Sequence, residues 1–453
     1  MKTTGRKRLS KKEIMRRRKR ERRLYVCNAI FATLCVFALI GMVLVLRSDG
    51  ADSARSGSWR VEDGQVEIAA PAGGAVIEAT EKPTFPELPT AQATAVPSSA
   101  PTVEPTLEPT AEPTVEPTVE PTAEASISMP SLETESERTL LTITAAGDCT
   151  LGGDYNTAAH ERFDGYADRY GFDYFLENVR PIFEADDLTF VNLEGPLTTS
   201  DEKRSGRIYN FKGDPEYVQI LAGSSVELAG LANNHALDFG TSGLKETAAV
   251  LEAAGVGYCG YKSVWRKELN GFAVTCLSVT EWDYTTAELA EMLAAERGKC
   301  DLMIVMIHWG EEKEYSATDS QVEYGHALVD AGADLVLGSH SHVIGGVEEY
   351  SGKYIVYGLG NFCFGGNKNP SDKDCLIFQQ TFELTSDGSI ADAGISMIPC
   401  SSSSRSDEND YRPTPLKDTE AARVLRKIAR YSDFDLETVV WRPEMNEYLA
   451  TLQ

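Results

Sequence analysis

Gly338-Ser339-His340-Ser341-His342 places two of the chain's six histidines two residues apart, directly after the apolar run Leu335-Val336-Leu337. A buried strand ending in such small residues carries both imidazoles at its carboxyl end, where open α/β sheets bind ligands. Neutral imidazole coordinates zinc, iron, nickel or manganese with little competition from protons near neutral pH. A surface strand can also carry an idle H-x-H, so the pair needs company. Four other stretches supply it: residues 140–146 run into Gly147-Asp148-Cys149, and 188–191 into Asn192-Leu193-Glu194-Gly195-Pro196. Residues 226–231 lead to Ala232-Asn233-Asn234-His235, with Asp238 and Gly240 following, and 302–307 end at His308-Trp309-Gly310. If these strands are parallel neighbours, their ends meet in one crevice.

The set Asp148, Glu194, Asn234, His308, His340 and His342 mixes carboxylate, amide oxygen and imidazole. That mixture suits one or two divalent ions of borderline softness, manganese, iron or zinc. A carboxylate can bridge two such ions, and a two-metal site activates water and clamps a transferring phosphoryl or acyl group. His235 directly follows Asn234, so both cannot comfortably hold the same ion; it fits a general acid or a hydrogen-bond donor beside the ligands. Asp238, three residues on, can orient that imidazole. Blander roles exist for the same residues: Asp148 as a helix N-cap, Glu194 as a turn residue before Pro196, and Glu311, Glu312 and Glu314 as a solvated run. His160 and His326 lack this context and read as structural. Five coincident strand ends favour the site.

The positioning elements are apolar runs alternating with amphipathic ones. Strands are expected at 140–146, 188–191, 226–231, 272–279, 302–307, 335–337 and 354–357, and helices at 174–184, 215–221, 242–254, 287–297 and 321–331. The third helix has Thr241 as its expected N-cap and Gly255 just past its end. Runs at 376–384 and 390–398 look like antiparallel additions. This alternation predicts an α/β domain of mixed sheets over residues 139–400. Residues 401–415 read as a polar loop and 420–431 as a helix, within a C-terminal extension spanning 401–453.

Composition divides the rest sharply. Residues 1–23 hold 13 Lys/Arg against Glu13 and Glu21, a net charge of +11, and residues 24–46 carry no charge at all. An uncharged run of that length spans a bilayer, and the basic flank keeps to the cytoplasmic side. A cleaved signal peptide has a shorter apolar core, so an uncleaved signal anchor is expected, with the C-terminal domain outside the cell membrane. Residues 47–138 read as an extracellular stalk, because residues 101–124 are six Pro-Thr-x-Glu units. Regular prolines forbid helix there, and repelling glutamates keep the segment extended, solvated and disordered. Removing the 14 basic and 2 acidic residues of 1–47 from totals of 43 and 69 leaves 29 and 67, a net of −38. Such a surface disfavours nucleic acid. The seven cysteines beyond the anchor form no C-x-x-C pair and read as small buried hydrophobes.

These motifs, together with Asp330-Ala331-Gly332-Ala333-Asp334 and Tyr357-Gly358-Leu359-Gly360-Asn361-Phe362, resemble the capsule-synthesis protein CapA family. That family is named for poly-γ-glutamate capsule formation and is similar to the calcineurin-like metallophosphatase superfamily. The resemblance covers about residues 140–400 and implies a four-layer α/β/β/α sandwich. It implies that Asp148 serves one metal and that Glu194 bridges. Asn234, His308 and His340 would hold the second metal, with His342 returning to the first. His235 would be the histidine that contacts the reacting group. Thr150 stands where the superfamily usually has a histidine, and Glu194 where it has an aspartate, so the first ion is expected to be the more loosely held. Ser341 and Gly358 stand where proline and serine are common.

Two functions follow. One is a membrane-anchored extracellular hydrolase or transferase, metal-dependent, acting in capsule or poly-γ-glutamate synthesis or export on an anionic polymer or phosphoester. The other is a non-catalytic accessory subunit working with the proteins of a membrane polymer-synthesis complex. Lys212, in Asn210-Phe211-Lys212-Gly213, is a candidate substrate anion contact.

Overall fold

The computed structural model describes residues 138–432. The basic tail, the signal anchor and the stalk up to residue 137 lie outside that range, as do residues 433–453 of the C-terminal extension. Among the described residues, no helix is long and apolar enough to cross a membrane.

The chain opens with β1 (Thr139–Thr150), the two-residue β2 (Gly153–Asp154), β3 (Leu188–Leu193), the two-residue β4 (Phe211–Lys212), β5 (Leu228–Gly230) and β6 (Gly257–Cys259). It continues through β7 (Trp265–Leu269), β8 (Phe272–Thr280), β9 (Leu302–His308), β10 (Leu335–Ser339), β11 (Val347–Tyr350) and β12 (Lys353–Val356). Last come β13 (Asn361–Phe364), β14 (Asp374–Leu384), β15 (Ile390–Ser401) and β16 (Thr414–Pro415). Two large sheets result. The first runs β16-β15-β14-β1-β3-β5-β6, with β13 also on β1; the second runs β11-β12-β10-β9-β8-β7. Strands β1, β3, β5 and β6 are mutually parallel, as are β8, β9, β10 and β12.

Three apolar cores show how the layers stack. Leu141, Ile143, Phe190 and Phe378 of the first sheet pack with Cys276, Ile304, Met306 and Leu337 of the second, forming the inter-sheet core. The opposite face of the first sheet, with Val191 and Ala229, meets Phe163, Phe175, Ile220 and Leu251 from helical segments. The outer face of the second, with Val305 and Val336, meets Leu289, Leu293 and Leu328 of helices Thr286–Arg297 and Asp319–Asp330. The order is therefore helices, sheet, sheet, helices. Strands buried on both faces must read as unbroken apolar runs, which is why β9, Leu-Met-Ile-Val-Met-Ile-His, stands out in the sequence. Helix Asp418–Tyr431 inserts Val424 and Ile428 into the inter-sheet core.

Several expectations need correction. The helix expected at 174–184 is two short ones, Asp173–Leu176 and Arg180–Phe183. Pro181 lacks the amide hydrogen that would continue the first helix, and it sits instead in the opening turn of the second. Helix Gly240–Ala253 begins one residue before Thr241, which lies inside it, and no side chain caps its start. Residues 401–415 are polar, yet Ser402, Ser403, Asn409, Asp410 and Tyr411 are buried. Three of these side chains bond internally: Asn409 Nδ2 donates to the Phe364 and Asn367 carbonyls, and Asp410 accepts from Ser403. Helix Ala159–Tyr170 was not expected at all, because its Asp, Arg and Glu residues mask its short apolar face.

β1 changes partner along one edge. β14 pairs antiparallel with Thr139 through Ala145, and β13 then pairs parallel with Asp148 and Thr150. The handover needs a close approach, since a Cβ on Gly147 would sit 1.9 Å from the Gly360 carbonyl oxygen. It sets Asp148 beside Asn361.

Candidate metal centre

The parallel strands of both sheets point their carboxyl ends to the same edge. Three of the five polar strand ends belong to the first sheet and two to the second, so they face one another across the sandwich rather than lying side by side in one sheet. β1 delivers Asp148, β3 leads to Glu194, and the turn after β5 carries Asn234 and His235; β9 ends in His308, and β10 leads into His340 and His342. Both of these last histidines hold positive φ, +92° and +56°. Left-handed backbone is uncommon for residues with a side chain and concentrates at functional sites. Here it turns two successive alternate residues into one cluster.

Donor atoms meet at hydrogen-bonding distance. His308 Nε2 lies 3.0 Å from Asn234 Oδ1 and 3.1 Å from His340 Nδ1. Asp148, Glu194 and His308 each offer a ligand atom within 4.8 Å of the others. His342 Nδ1 is 3.2 Å from Asp148 Oδ2, and its Nε2 is 3.7 Å from Glu194 Oε1. His235 Nδ1 lies 2.6 Å from Asp238 Oδ2, and its Nε2 is 3.9 Å from Glu194 Oε1. Asp238 also accepts from the Phe211 amide at 2.7 Å, and the Phe211 ring stacks on His235 with centroids 4.0 Å apart.

The electrostatics are those of a cavity shaped for positive charge. Glu194 is fully buried, and burial pushes its carboxyl well above the ordinary range. Burial also holds His308 well below the usual imidazole value, and with His342 nearby it brings His340 down to about 4. Burial opposes a charge on His342 too, but Glu194 and Asp148 overcome it and push that imidazole up to about 9. Asp148 Oδ2, both Glu194 oxygens and His342 Nδ1 are buried without a hydrogen-bond partner. Asp148 and His342 are thus close enough to attract, yet not aligned to bond. Unpaired buried acceptors cost about 1–3 kcal/mol each, more when charged. A divalent cation relieves all of them, so these residues fit the ion their chemistry suggests.

Several supporting residues were not singled out by sequence reasoning. Asn192 Nδ2 donates to Asp148 Oδ1 at 2.8 Å and approaches His308 Nδ1 at 3.4 Å. Asn233 Nδ2 donates to Asn192 Oδ1 and to the Leu193 carbonyl. Ser339 Oγ lies 2.8 Å from His308 Nδ1; taking that ring proton leaves Nε2 free to coordinate. Trp282, 46 % exposed, stands edge-on over His308 and His340. Asn192 and Asn233 sit inside the quoted motifs, so a strand-end amide was the available signal. Nothing in the sequence marked Trp282.

A pocket of about 690 Å³ opens beside the cluster, with His235, His342 and Asn361 among its lining and Arg162, Lys313 and Lys368 as its cations. Arg162 is ion-paired with Glu408. Lys212 does not line it. Its ammonium is bound by the Ser200 carbonyl at 2.6 Å and Asp201 at 3.0 Å, which fixes the loop beside β4. A second pocket, of about 450 Å³, lies past Asn234 and carries Arg204, Arg207 and Trp282. All seven cysteines of the described residues are free thiols, six of them buried.

The family model for bacterial capsule synthesis proteins matches residues 142–366, which include every donor named above. The chain belongs to the capsule-synthesis protein CapA family. It is 28 % identical to the PGA biosynthesis protein CapA of Bacillus subtilis over 331 residues, covering 67 % of this chain and 82 % of that one. It is also 28 % identical to the capsule biosynthesis protein CapA of Bacillus anthracis, over 52 % of this chain and 62 % of that one. A probable polyglutamine synthesis accessory protein of Mycobacterium tuberculosis matches at 28 %, over 41 % of this chain and 56 % of its own length. A family model for a disordered proline-threonine repeat matches residues 87–126. Among solved structures, the NAD nucleotidase of Haemophilus influenzae overlays 70 % of this chain and 67 % of its own at 12 % identity, with a TM-score of 0.36, too low to carry an argument. CapA-family membership makes this a capsule or poly-γ-glutamate biosynthesis protein, and its family domain has the metallophosphatase-like fold.

Proposed function

We propose that this CapA-family domain is a metal-dependent hydrolase or transferase, held outside the cell membrane by residues 24–46, that acts on phosphoester or amide bonds of an anionic capsule polymer or its precursor. The observation that carries the reading is the convergence of Asp148, Glu194, Asn234, His308, His340 and His342, with buried oxygens of Asp148 and Glu194 left unpaired. Asn234, His308 and His340, with Glu194, would hold one ion; Asp148 and His342, sharing Glu194, would hold the other. When bound, such ions supply Lewis acidity and lower the pKa of water. The chain's own contribution is orientation and proton handling. Asp238 accepts the Nδ1 proton of His235 at 2.6 Å, which fixes the tautomer and leaves Nε2 facing the pocket. From there His235 can give a proton to a leaving oxygen or nitrogen. Phe211 holds the imidazole in plane from one side. Lys313 and Lys368 on the pocket wall make no ion pair among the described residues and suit an anionic substrate, a role the sequence had offered to Lys212.

The test pairs metal content with hydrolysis of a generic aryl phosphodiester. His235→Ala should keep full metal content and lose about 10²–10⁴-fold in rate, the usual span for a lost acid or base. Asp238→Asn should also keep its metal while shifting the pH profile, because the ring loses the carboxylate charge beside Nδ1. Loss of metal in His235→Ala would remove it from the proton-handling role. The accessory reading draws support from Thr150, whose buried hydroxyl stands without a partner beside Asp148 where a stronger ligand could be. It predicts a metal-loaded protein with no hydrolysis of any substrate offered. The anchored topology is tested separately: protease added to intact protoplasts should release the domain, and a protected domain would refute it.

A further inference from the structure

We infer that Asn361 is a metal ligand, its side-chain oxygen completing the coordination of the ion held by Asp148 and His342. The inference rests on the metal reading above and extends it to a residue with no assigned role. Asp148 and His342 with a shared Glu194 make three donors, and ions of this class take four or more. Asn361 is the neighbour able to add one. β13 pairs with β1 so that Asn361 is the direct partner of Asp148, and the amide of Asp148 is fixed by the Gly360 carbonyl at 2.9 Å. Asn361 is 5 % exposed and lines the pocket together with His342 and His235.

Its amide can be oriented without ambiguity. Nδ2 donates to the His342 carbonyl at 3.2 Å, and a carbonyl can only accept, so the nitrogen must be the atom on that side. Oδ1 is then turned the other way, and it is buried with no hydrogen-bond partner. A buried amide oxygen left empty while its nitrogen is used is uncommon in a well-packed protein. Asp148 Oδ2 and His342 Nδ1, its neighbours in pairing and hydrogen bonding, are unpartnered in the same way. Three orphaned atoms on adjoining residues describe one missing partner, a cation. The same Asn361 amide braces the His342 backbone at its positive φ of 56°.

Two substitutions separate the oxygen from the nitrogen. Asn361→Ala removes both, whereas Asn361→Asp keeps an oxygen and cannot donate to the His342 carbonyl. Purified full-length protein is stripped with chelator, titrated with Mn²⁺ by calorimetry, and assayed for bound manganese per chain; circular dichroism of the stripped forms checks folding. Asn361→Ala should bind one ion at least about tenfold more weakly, the lower bound seen for residues that merely orient ligands. Asn361→Asp should match or exceed the wild type. Unchanged binding in Asn361→Ala would overturn the assignment. Equal loss in both variants would overturn it too, because the brace on His342 would then be the part that matters. If the wild type takes up no Mn²⁺, the metal reading itself fails; retention by the alanine variant alone defeats only the role of Asn361.

Discussion

Glu194→Gln should empty the centre of metal and, in the absence of metal, make the chain more stable. Glu194 is completely buried, neither of its oxygens has a partner, and burial holds its carboxyl well above the ordinary range. In the metal-free chain burial outweighs the attraction of His342, so removing the charge while keeping the shape should recover part of a penalty of about 1–3 kcal/mol. With metal the sign reverses, since Glu194 lies near both halves of the donor set, Asp148 with His308 and His342. Affinity should fall by more than the roughly 10–100-fold seen when residues that only orient ligands are changed. Denaturant unfolding with chelator, beside the same titration with Mn²⁺ present, reads both signs. A variant that is less stable without metal, or that keeps its ion, would refute this account.

Metal affinity should climb about tenfold per pH unit from pH 6.5 to about 9, then level off. Binding displaces a proton from His342, which the metal-free chain holds up to about pH 9 because Glu194 and Asp148 outweigh the cost of burial. The same group makes the metal-free chain lose stability with rising pH. Its folded pKa lies above the unfolded value of about 6.5, so its contribution is complete below pH 6.5 and is lost as pH passes through 9. His340 acts oppositely: held down to about 4, it stays neutral when folded, so stability is lost as pH falls from 6.5 towards 4. The metal-free optimum should therefore lie near pH 6–7, and metal should move it upward. Unfolding curves from pH 4 to 9, with and without Mn²⁺, check both slopes. A pH-independent affinity would mean that His342 is not displaced from its proton.

Much of this site was legible because each donor sits where an apolar strand ends, and burial on both faces makes such strands easy to see. Asp148, Glu194, His308 and His340 stand out by that contrast alone. The sequence did not reveal which strands join which of the two sheets, because β3 and β9 read alike whichever they join. Lys212 looked like an anion contact because it is basic and near the motifs; only the fold reveals the carbonyls that already hold it. Asn361 lay inside a quoted motif, but its meaning depends on the register that sets it opposite Asp148. The split of the helix at Pro181 is readable from proline's missing amide hydrogen. The departure at Gly358 has a local cause: a Cβ there would lie 2.7 Å from the Ser341 hydroxyl oxygen and 2.9 Å from the Val343 carbonyl oxygen, so side chain and backbone together leave room only for glycine.

The donors come from both slabs of the sandwich. Asp148, Glu194 and Asn234 ride on one sheet; His308, His340 and His342 ride on the other. An ion seated among them is a rivet through a seam, and a rivet's grip depends on how well the plates are aligned. Any loosening deep between the plates, at Phe378 or Ile304 for instance, must by linkage weaken the ion by the same free energy that the ion spends closing the gap. A metal held in this fold would be a strain gauge for the whole sandwich, and defects far from the pocket would first be noticed as a protein that cannot keep its ion.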